Sequence, residues 1–397
     1  MMGMAGGRRH AASAASRFLQ RCHFLIISSS DHLITFLLLL SFVSAQAQRS
    51  PFNGLEVLPA DSTGHYRILI GGHFHGESTN RSGYPAATLL ANLDTINKLG
   101  ANLFLSTGDL FMDPVNDMPR YQRALFSKLK MPLFNAPGNH DRSGRINGRL
   151  TGMIPCGRKC IHMDPSHDIK GSCIPSDSDD VFFDYAYFLD TESDDGSIVG
   201  AEFEVLEMFA GKVMFIDSGN VFFISHRPIW SEDDPQYSPL FKDNTRSLTG
   251  TNFQKDVYPL LEKIAEHAHV YWISGSLGGS APSSIFFQEH AKNNLSRHGG
   301  ITYIQCAIRD EPRDALLIAD VYPDTVKWSS FSLTGQKLLA PEAYNAAWWR
   351  EHIGKSEGFN WRLLPYLVKT TVLRKEFWWG VLGGVLMLML VRRFYRR

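Results

Sequence analysis

Five short apolar runs, each delivering a polar or glycine-rich loop, constrain this chain more than any other feature. Tyr66–Ile70 leads into Gly71-Gly72-His73-Phe74-His75, and Ala101–Ser106 into Thr107-Gly108-Asp109. Pro132–Asn135 leads into Ala136-Pro137-Gly138-Asn139-His140-Asp141, Val221–Ser225 into His226-Arg227-Pro228, and Val270–Ile273 into Ser274-Gly275-Ser276. Such runs, rich in β-branched and aromatic residues and bounded by turn formers, predict strands. Between them, Pro85–Leu99, Arg120–Leu129 and Phe253–His267 carry apolar residues at helical spacing, the first ending at Gly100 and the last interrupted by Pro259. Alternating strand and helix predicts an α/β fold, whose ligands bind beyond the carboxyl ends of the strands. Phe203–Asp217 and Ile301–Leu333 read as strand-rich. Arg142–Asp180, polar and rich in Gly, Pro, Asp and Cys, reads as an insertion.

The 397 residues are 44% hydrophobic and 20% charged, which excludes a disordered chain. Forty basic side chains balance forty acidic ones. A dedicated nucleic-acid binder carries a basic excess, so no nucleic-acid binding is expected.

Both ends address a membrane. Arg8, Arg9, Arg17 and Arg21 precede the 11-residue apolar run Leu33–Val43, and Ala45-Gln46-Ala47 follows. This pattern predicts a signal peptide over residues 1–47. An uncleaved signal anchor beginning near Phe24 is the alternative, disfavoured by Asp31 and His32 inside it. At the other end the apolar stretch Phe377–Val391 is flanked by Trp378 and Trp379 on one side and by Arg392, Arg393, Arg396 and Arg397 on the other. Interfacial tryptophans and a basic cytoplasmic flank predict a transmembrane helix over 377–391, with 392–397 as a cytoplasmic tail. The resulting topology is single-pass type I, with the globule periplasmic, lumenal or extracellular. Residues 48–63 read as a linker. Residues 339–376, bearing Trp348, Trp349 and Trp361, read as a juxtamembrane segment forming a helix pair near the bilayer.

Cys156, Cys160, Cys173 and Cys306 remain after the signal, and an oxidising compartment permits three pairings of them. Asn80 and Asn294 begin glycosylation sequons.

The chemistry lies in the loops. His73, His75, Asp109, Asn139, His140, Asp141 and His226 each follow a strand-like run. Imidazole, carboxylate and amide together suit first-row divalent metals such as Mn, Fe or Zn. A carboxylate shared by two ions about 3.5–4 Å apart can stabilise displacement at phosphorus.

Gly108-Asp109, Gly138-Asn139-His140-Asp141 and a downstream His226, in that order, resemble the calcineurin-like metallophosphoesterase superfamily. The resemblance covers Tyr66 to Leu338 and defines a metallophosphoesterase-like domain over 64–338, with 142–180 as its insertion. It implies a four-layer α/β/β/α sandwich and metal-dependent hydrolysis of a phosphate mono- or diester. It also implies roles for individual residues. Asp109 is the bridging carboxylate, with His73 and His75 toward one ion and Asn139 and His226 toward the other. His140 contacts the scissile phosphate, with Asp141 as its orienting partner. Asp113 lies one residue late for the family's second aspartate and reads as solvated.

Two departures stand out. His73 replaces the aspartate of the family's D-x-H block, and Ser276 and Gly278 replace the two histidines of its G-H-x-H block. Two readings therefore stay open: a phosphoesterase using one or two divalent ions, and a pseudoenzyme using the fold to bind a partner or a glycan.

Overall fold

The computed structural model describes residues 49–77, 82–141, 151–153, 184–192, 195–212, 219–241, 250–292, 299–354, 368, 372 and 375–395. The signal segment, the sequon asparagines Asn80 and Asn294, most of the insertion, Cys156, Cys160, Cys173 and Trp361 lie outside them.

The chain begins with β1 (Tyr66–Gly71), short helices α1 (Ala87–Ala91) and α2 (Leu93–Lys98), β2 (Leu103–Ser106), α3 (Pro114–Ala124) and β3 (Leu133–Asn135). It continues through β4 (Thr151–Met153), β5 (Tyr185–Phe188), α4 (Gly200–Lys212), β6 (Asn220–Ile224), α5 (Ser238–Phe241) and α6 (Tyr258–Ala265). Then come β7 (His269–Ser274), β8 (Ile285–Lys292), β9 (Gly300–Cys306), β10 (Ala315–Val321), β11 (Val326–Ser332), α7 (Ala346–His352) and α8 (Lys375–Tyr395).

Two sheets form, in the orders β11-β10-β1-β2-β3 and β4-β5-β6-β7-β9-β8. In the first, β1, β2 and β3 are parallel, and β10 returns antiparallel to β1. In the second, β5, β6, β7 and β9 are parallel. Side chains alternate between the faces of the first sheet. Ile68, Ile70, Leu103, Leu105 and Phe134 enter the core shared with the second sheet. Leu69, Phe104 and Leu133 instead pack with Leu89, Leu93, Ile96 and Tyr121 of α1, α2 and α3. Leu206 and Phe209 of α4 and Leu261 and Ile264 of α6 cover the other face of the second sheet. The layers are helix, sheet, sheet, helix, the architecture the resemblance implied.

Three expectations need correction, and Asp113, expected to be solvated, has a capping role besides. Residues 200–212 form α4 rather than a strand, because Val205, Leu206 and Phe209 are buried at one-turn spacing while Glu207 faces water. Asp113 caps α3, accepting from Val115 N at 3.2 Å, which satisfies a helix-start donor. Cys306 is a free buried thiol, its Sγ 3.4 Å from Ile70 O, so the pairings that use it do not form. Trp349 packs into the globule, against Phe241 and Phe286, and donates to Ile285 O at 3.0 Å. The start of the tryptophan-bearing segment thus belongs to the core edge.

Of α8, Phe377–Tyr395 is long and apolar enough to cross a membrane, with mean hydropathy 1.4 and none of it buried. At about 1.5 Å per residue, its 21 residues match a hydrocarbon core of about 30 Å.

The sheets are stitched together where their parallel strands end. Thr107, just past β2, donates through Oγ1 to Cys306 O of β9 at 2.8 Å. Ile308 N, just past β9, donates to Gly72 O at 3.0 Å. Gly108, at φ 98°, leaves the space that the His226 ring fills. The loop after β9 is held in turn by α1. Thr88 N donates to Asp310 Oδ1 at 2.9 Å, Thr88 Oγ1 to Asp314 Oδ2 at 2.7 Å, and Arg309 N to Asp314 Oδ1 at 2.9 Å.

Gly108→Ala must strain the backbone and push His226 aside, so thermal melting should report destabilisation of about 2 kcal/mol or more. Gly211→Ala, in α4 with open space around it, should be neutral or stabilising. Equal melting of the two variants would refute this account of the seam. Burial, and then the Asp310 charge, push the Asp314 carboxyl up to about 7. Because the folded value exceeds the unfolded one, the stability Asp314 contributes is full in acid and fades as pH climbs toward 7. The melting temperature of Asp314→Asn, relative to wild type, should therefore be more favourable at pH 8 than at pH 5. A difference independent of pH would contradict this.

Candidate metal centre

Four loops from the first sheet's strands and from β6 meet at the common edge. His73 and His75 follow β1, Asp109 follows β2, the 138–141 turn follows β3, and His226 follows β6. Three imidazoles converge on one carboxylate oxygen. His73 Nε2 and His75 Nε2 lie 3.4 Å from Asp109 Oδ2, and His226 Nε2 lies 3.3 Å from it. All four side chains are buried. His73 and Asp109 hold φ near +55°, the left-handed region that non-glycine residues rarely occupy. Backbone strain of this kind concentrates at functional sites.

The other Asp109 oxygen, Oδ1, accepts from His140 N at 3.0 Å, which ties the 138–141 turn to β2. The His140 ring, half-buried, lies 5.1 Å from the His75 ring. Asn139 is half-buried in the same turn.

Asp141 departs from its expected task. Its carboxylate accepts from Asp109 N at 2.9 Å, Asn135 Nδ2 at 3.0 Å, Gly138 N at 3.1 Å and Phe111 N at 3.3 Å. It clamps the β2 and β3 loops together instead of orienting the His140 ring, whose Nδ1 is 3.4 Å from Met112 O. Burial, with the Asp109 charge beside it, pushes the Asp141 carboxyl up to about 6.

The electrostatics follow from burying one carboxylate among imidazoles. Burial alone would raise Asp109, but His226, with His75 and His73, holds it well below the usual carboxylate range. Burial opposes charge on His226, yet Asp109 outweighs it and carries that ring up to about 9. His73 is held well below its ordinary value by burial, which outweighs the opposing pull of the Asp109 carboxylate.

The donors fit a divalent cation. Two groups of side chains bring ligand atoms within 4.8 Å of one another: His73, Asp109 and His226, and His75, Asp109 and His140. Ligands about 2.1 Å from a tetrahedral ion stand about 3.4 Å apart, the separation found around Asp109 Oδ2. His226 Nδ1 lies 2.9 Å from Thr107 O, so it is the protonated nitrogen and Nε2 faces the carboxylate. His226 Nε2 is a buried atom with no hydrogen-bond partner, as a ligand atom would be without its ion. Within these groups His226 stands with His73, and His140 joins His75.

Sequence reasoning missed two residues. Thr107, which aims His226, is marked only by its place before Gly108-Asp109. Arg309, three residues past β9, brings Nη1 to 2.6 Å from Leu277 O and 3.5 Å from His73 Nδ1. Ser276 and Gly278, at the positions of the missing histidines, lie in the loop that Arg309 and Arg313 pin. Arg313 Nη2 donates to Gly278 O at 3.2 Å. Gly275 allows this loop to pass close over Thr107.

No curated protein matches the sequence. Among solved structures, a dimetal phosphatase from Danio rerio aligns over 70% of this chain and 98% of its own, at 12% identity and TM-score 0.39. A purple acid phosphatase from yellow lupin (Lupinus luteus) seeds aligns over 73% of this chain and 54% of its own, at 12% identity and TM-score 0.38. The calcineurin-like phosphoesterase family profile matches residues 65–263, half of the chain, and spans the strands and loops that carry His73, His75, Asp109, the 138–141 turn and His226. The chain belongs to the calcineurin-like phosphoesterase family.

Proposed function

We propose that this protein is a membrane-anchored, metal-dependent phosphoesterase that hydrolyses a phosphate mono- or diester outside the cytosol. The observation that carries the reading is the convergence of the buried His73, His75 and His226 side chains on Asp109 Oδ2 at the strands' carboxyl ends. His73, His75, Asp109, Asn139 and His226 are the proposed metal-holding residues, for one or two ions of Mn, Fe or Zn. Such an ion supplies Lewis acidity toward a phosphoryl oxygen and activates water near neutral pH.

The chain's own groups do the rest. Asp109 provides the negative charge that holds a cation, and the left-handed turn at its backbone aims it inward. Thr107 fixes the tautomer of His226, and Asp141 locks the two loops that carry Asp109 and His140. His140 is half-buried at the rim beside His75, where it can reach a bound phosphoester and give a proton to the leaving oxygen. The substrate enters as an anion whose charge suits a cationic centre.

Full-length protein in detergent should carry divalent transition metal by elemental mass spectrometry. It should also hydrolyse a chromogenic phosphomonoester or phosphodiester with Mn or Zn present. Asp109→Ala should lose the metal and lower kcat/KM by about 100-fold or more. A wild-type protein that takes up no Mn, Fe or Zn and hydrolyses neither ester would sink the enzyme reading. The missing G-H-x-H histidines would then favour the partner- or glycan-binding alternative. The topology has its own check. Protease added to the outside of sealed cells, or to opened secretory vesicles, should digest the globule and spare only α8 and its basic tail. Protection of the globule under those conditions would reverse the orientation.

A further inference from the structure

The two sheets also part at the end opposite the metal centre. A cavity of about 520 Å³ lies there, within the range of about 300–1,000 Å³ that small ligands occupy. Asn220 and His269, the first residues of β6 and β7, line it, as does the 323–325 turn between β10 and β11. His226 stands six residues beyond Asn220, about 20 Å of strand away, and the cavity shares no residue with the metal-holding loops.

The walls of the cavity are aromatic. Trp328 of the first sheet meets Tyr271 and Phe287 of the second, with ring centroids 5.1 and 5.6 Å apart and planes at 60° and 69°. His269 stacks on Tyr271 at 4.4 Å. Tyr271 and Phe287 are buried, whereas Trp328 is only half-buried. The rim is acidic. Glu289, Asp324 and Glu342 are exposed around it, and no lysine or arginine is among the described residues that line it. Lys327, beside Trp328 in the chain, lies over the Tyr322 ring at 5.0 Å instead. Burial first, with the Asp184 and Glu289 charges, pushes the Tyr271 hydroxyl up against the hydrogen bond from Trp328.

The rim is also held in place. Tyr322 N donates to Thr325 O at 2.8 Å and Thr325 N to Tyr322 O at 3.4 Å, closing the turn that carries Asp324. Phe287 N donates to Tyr344 O at 3.2 Å, which ties the one-turn helix bearing Glu342 to β8. Donors of the wall serve neighbouring groups: Trp328 serves Tyr271, and Asn220 Nδ2 donates to Asp184 Oδ1 at 2.8 Å. Thr302 Oγ1 and His269 Nε2 pair at 3.1 Å. Aromatic faces and carboxylates share one preference. Each attracts positive charge, and the rings favour a cation clothed in alkyl groups over a tightly hydrated one.

We propose that this cavity binds a small organic cation, an alkyl-substituted ammonium held between Trp328 and the carboxylates of Glu289, Asp324 and Glu342. The proposal goes beyond the phosphoesterase reading and does not depend on it. The rings shield the alkyl groups from water, and the carboxylates balance the charge.

The test is calorimetric titration of the full-length protein in detergent with choline, in about 0.15 M salt to screen non-specific attraction. Wild type should bind one choline per chain, saturably, with Kd below about 10 mM. The uncharged tert-butyl analogue of choline should bind about tenfold more weakly or worse. Trp328→Leu should weaken choline by about tenfold or more, and Asp324→Asn combined with Glu342→Gln by about fivefold or more. Asp109→Ala, altered at the other end of the strands, should bind choline as wild type does. No saturable binding, or equal binding of the uncharged analogue, would overturn the proposal. So would choline binding that survives both cavity variants or that Asp109→Ala abolishes. Should Trp328→Leu not fold, the exposed Asp324 and Glu342 pair decides. Tighter binding of glycerophosphocholine than of choline would transfer the site to a lipid headgroup and overturn its assignment to a free cation. Choline binding by a protein that hydrolyses no ester would leave this site standing and sink only the phosphoesterase.

Discussion

One buried carboxylate organises this molecule. Asp109 sits among three imidazoles at the junction of two sheets, and a charge in such a place is tolerated only when it is paired. Nearly everything at that edge supplies the pairing or holds it. The Oδ2 atom faces His73, His75 and His226, and Oδ1 takes the His140 backbone. The Asp109 backbone N–H is taken by Asp141, which also binds three other donors of the β2 and β3 loops. Both oxygens and the amide of Asp109 thus have partners from three separate strand ends.

That arrangement explains why residues outside the donor set are so constrained. Thr107 serves both sheets at once, its hydroxyl on β9 and its carbonyl on His226. Gly108 and Gly275 lack side chains because His226 and Thr107 occupy the space a Cβ would need. The left-handed backbone at His73 and Asp109 costs about 1–3 kcal/mol each, and it persists because the surrounding hydrogen bonds over-determine it.

The parts legible in the sequence were those encoded locally. Apolar runs ending in His, Asp or Gly located β1, β2, β3, β6 and β7, and the Gly138–Asp141 turn marked the centre. Helix α4 was misread because its glutamates alternate with apolar residues over Glu202–Val205, which imitates a strand, while the burial of Val205, Leu206 and Phe209 emerges only with a sheet to pack on. The roles of Asp141 and Arg309 were invisible for a different reason. Each depends on partners brought together by topology: Asp141 on Asp109 and Phe111 across 30 or more residues, and Arg309 on His73 across 236. No local pattern encodes such a contact.

The sheet-to-sheet seam has a thermodynamic consequence. Asp109 belongs to the first sheet's edge and His226 to the second's, with 116 residues of chain between them. Donors so far apart in sequence meet only after both sheets have formed and closed. An ion held between loops of this edge would therefore bind the native state and have no comparable site on the unfolded chain. By mass action its free concentration would then enter the folding equilibrium directly. Cation supply in the protein's compartment would set how long the globule survives as well as what it can do.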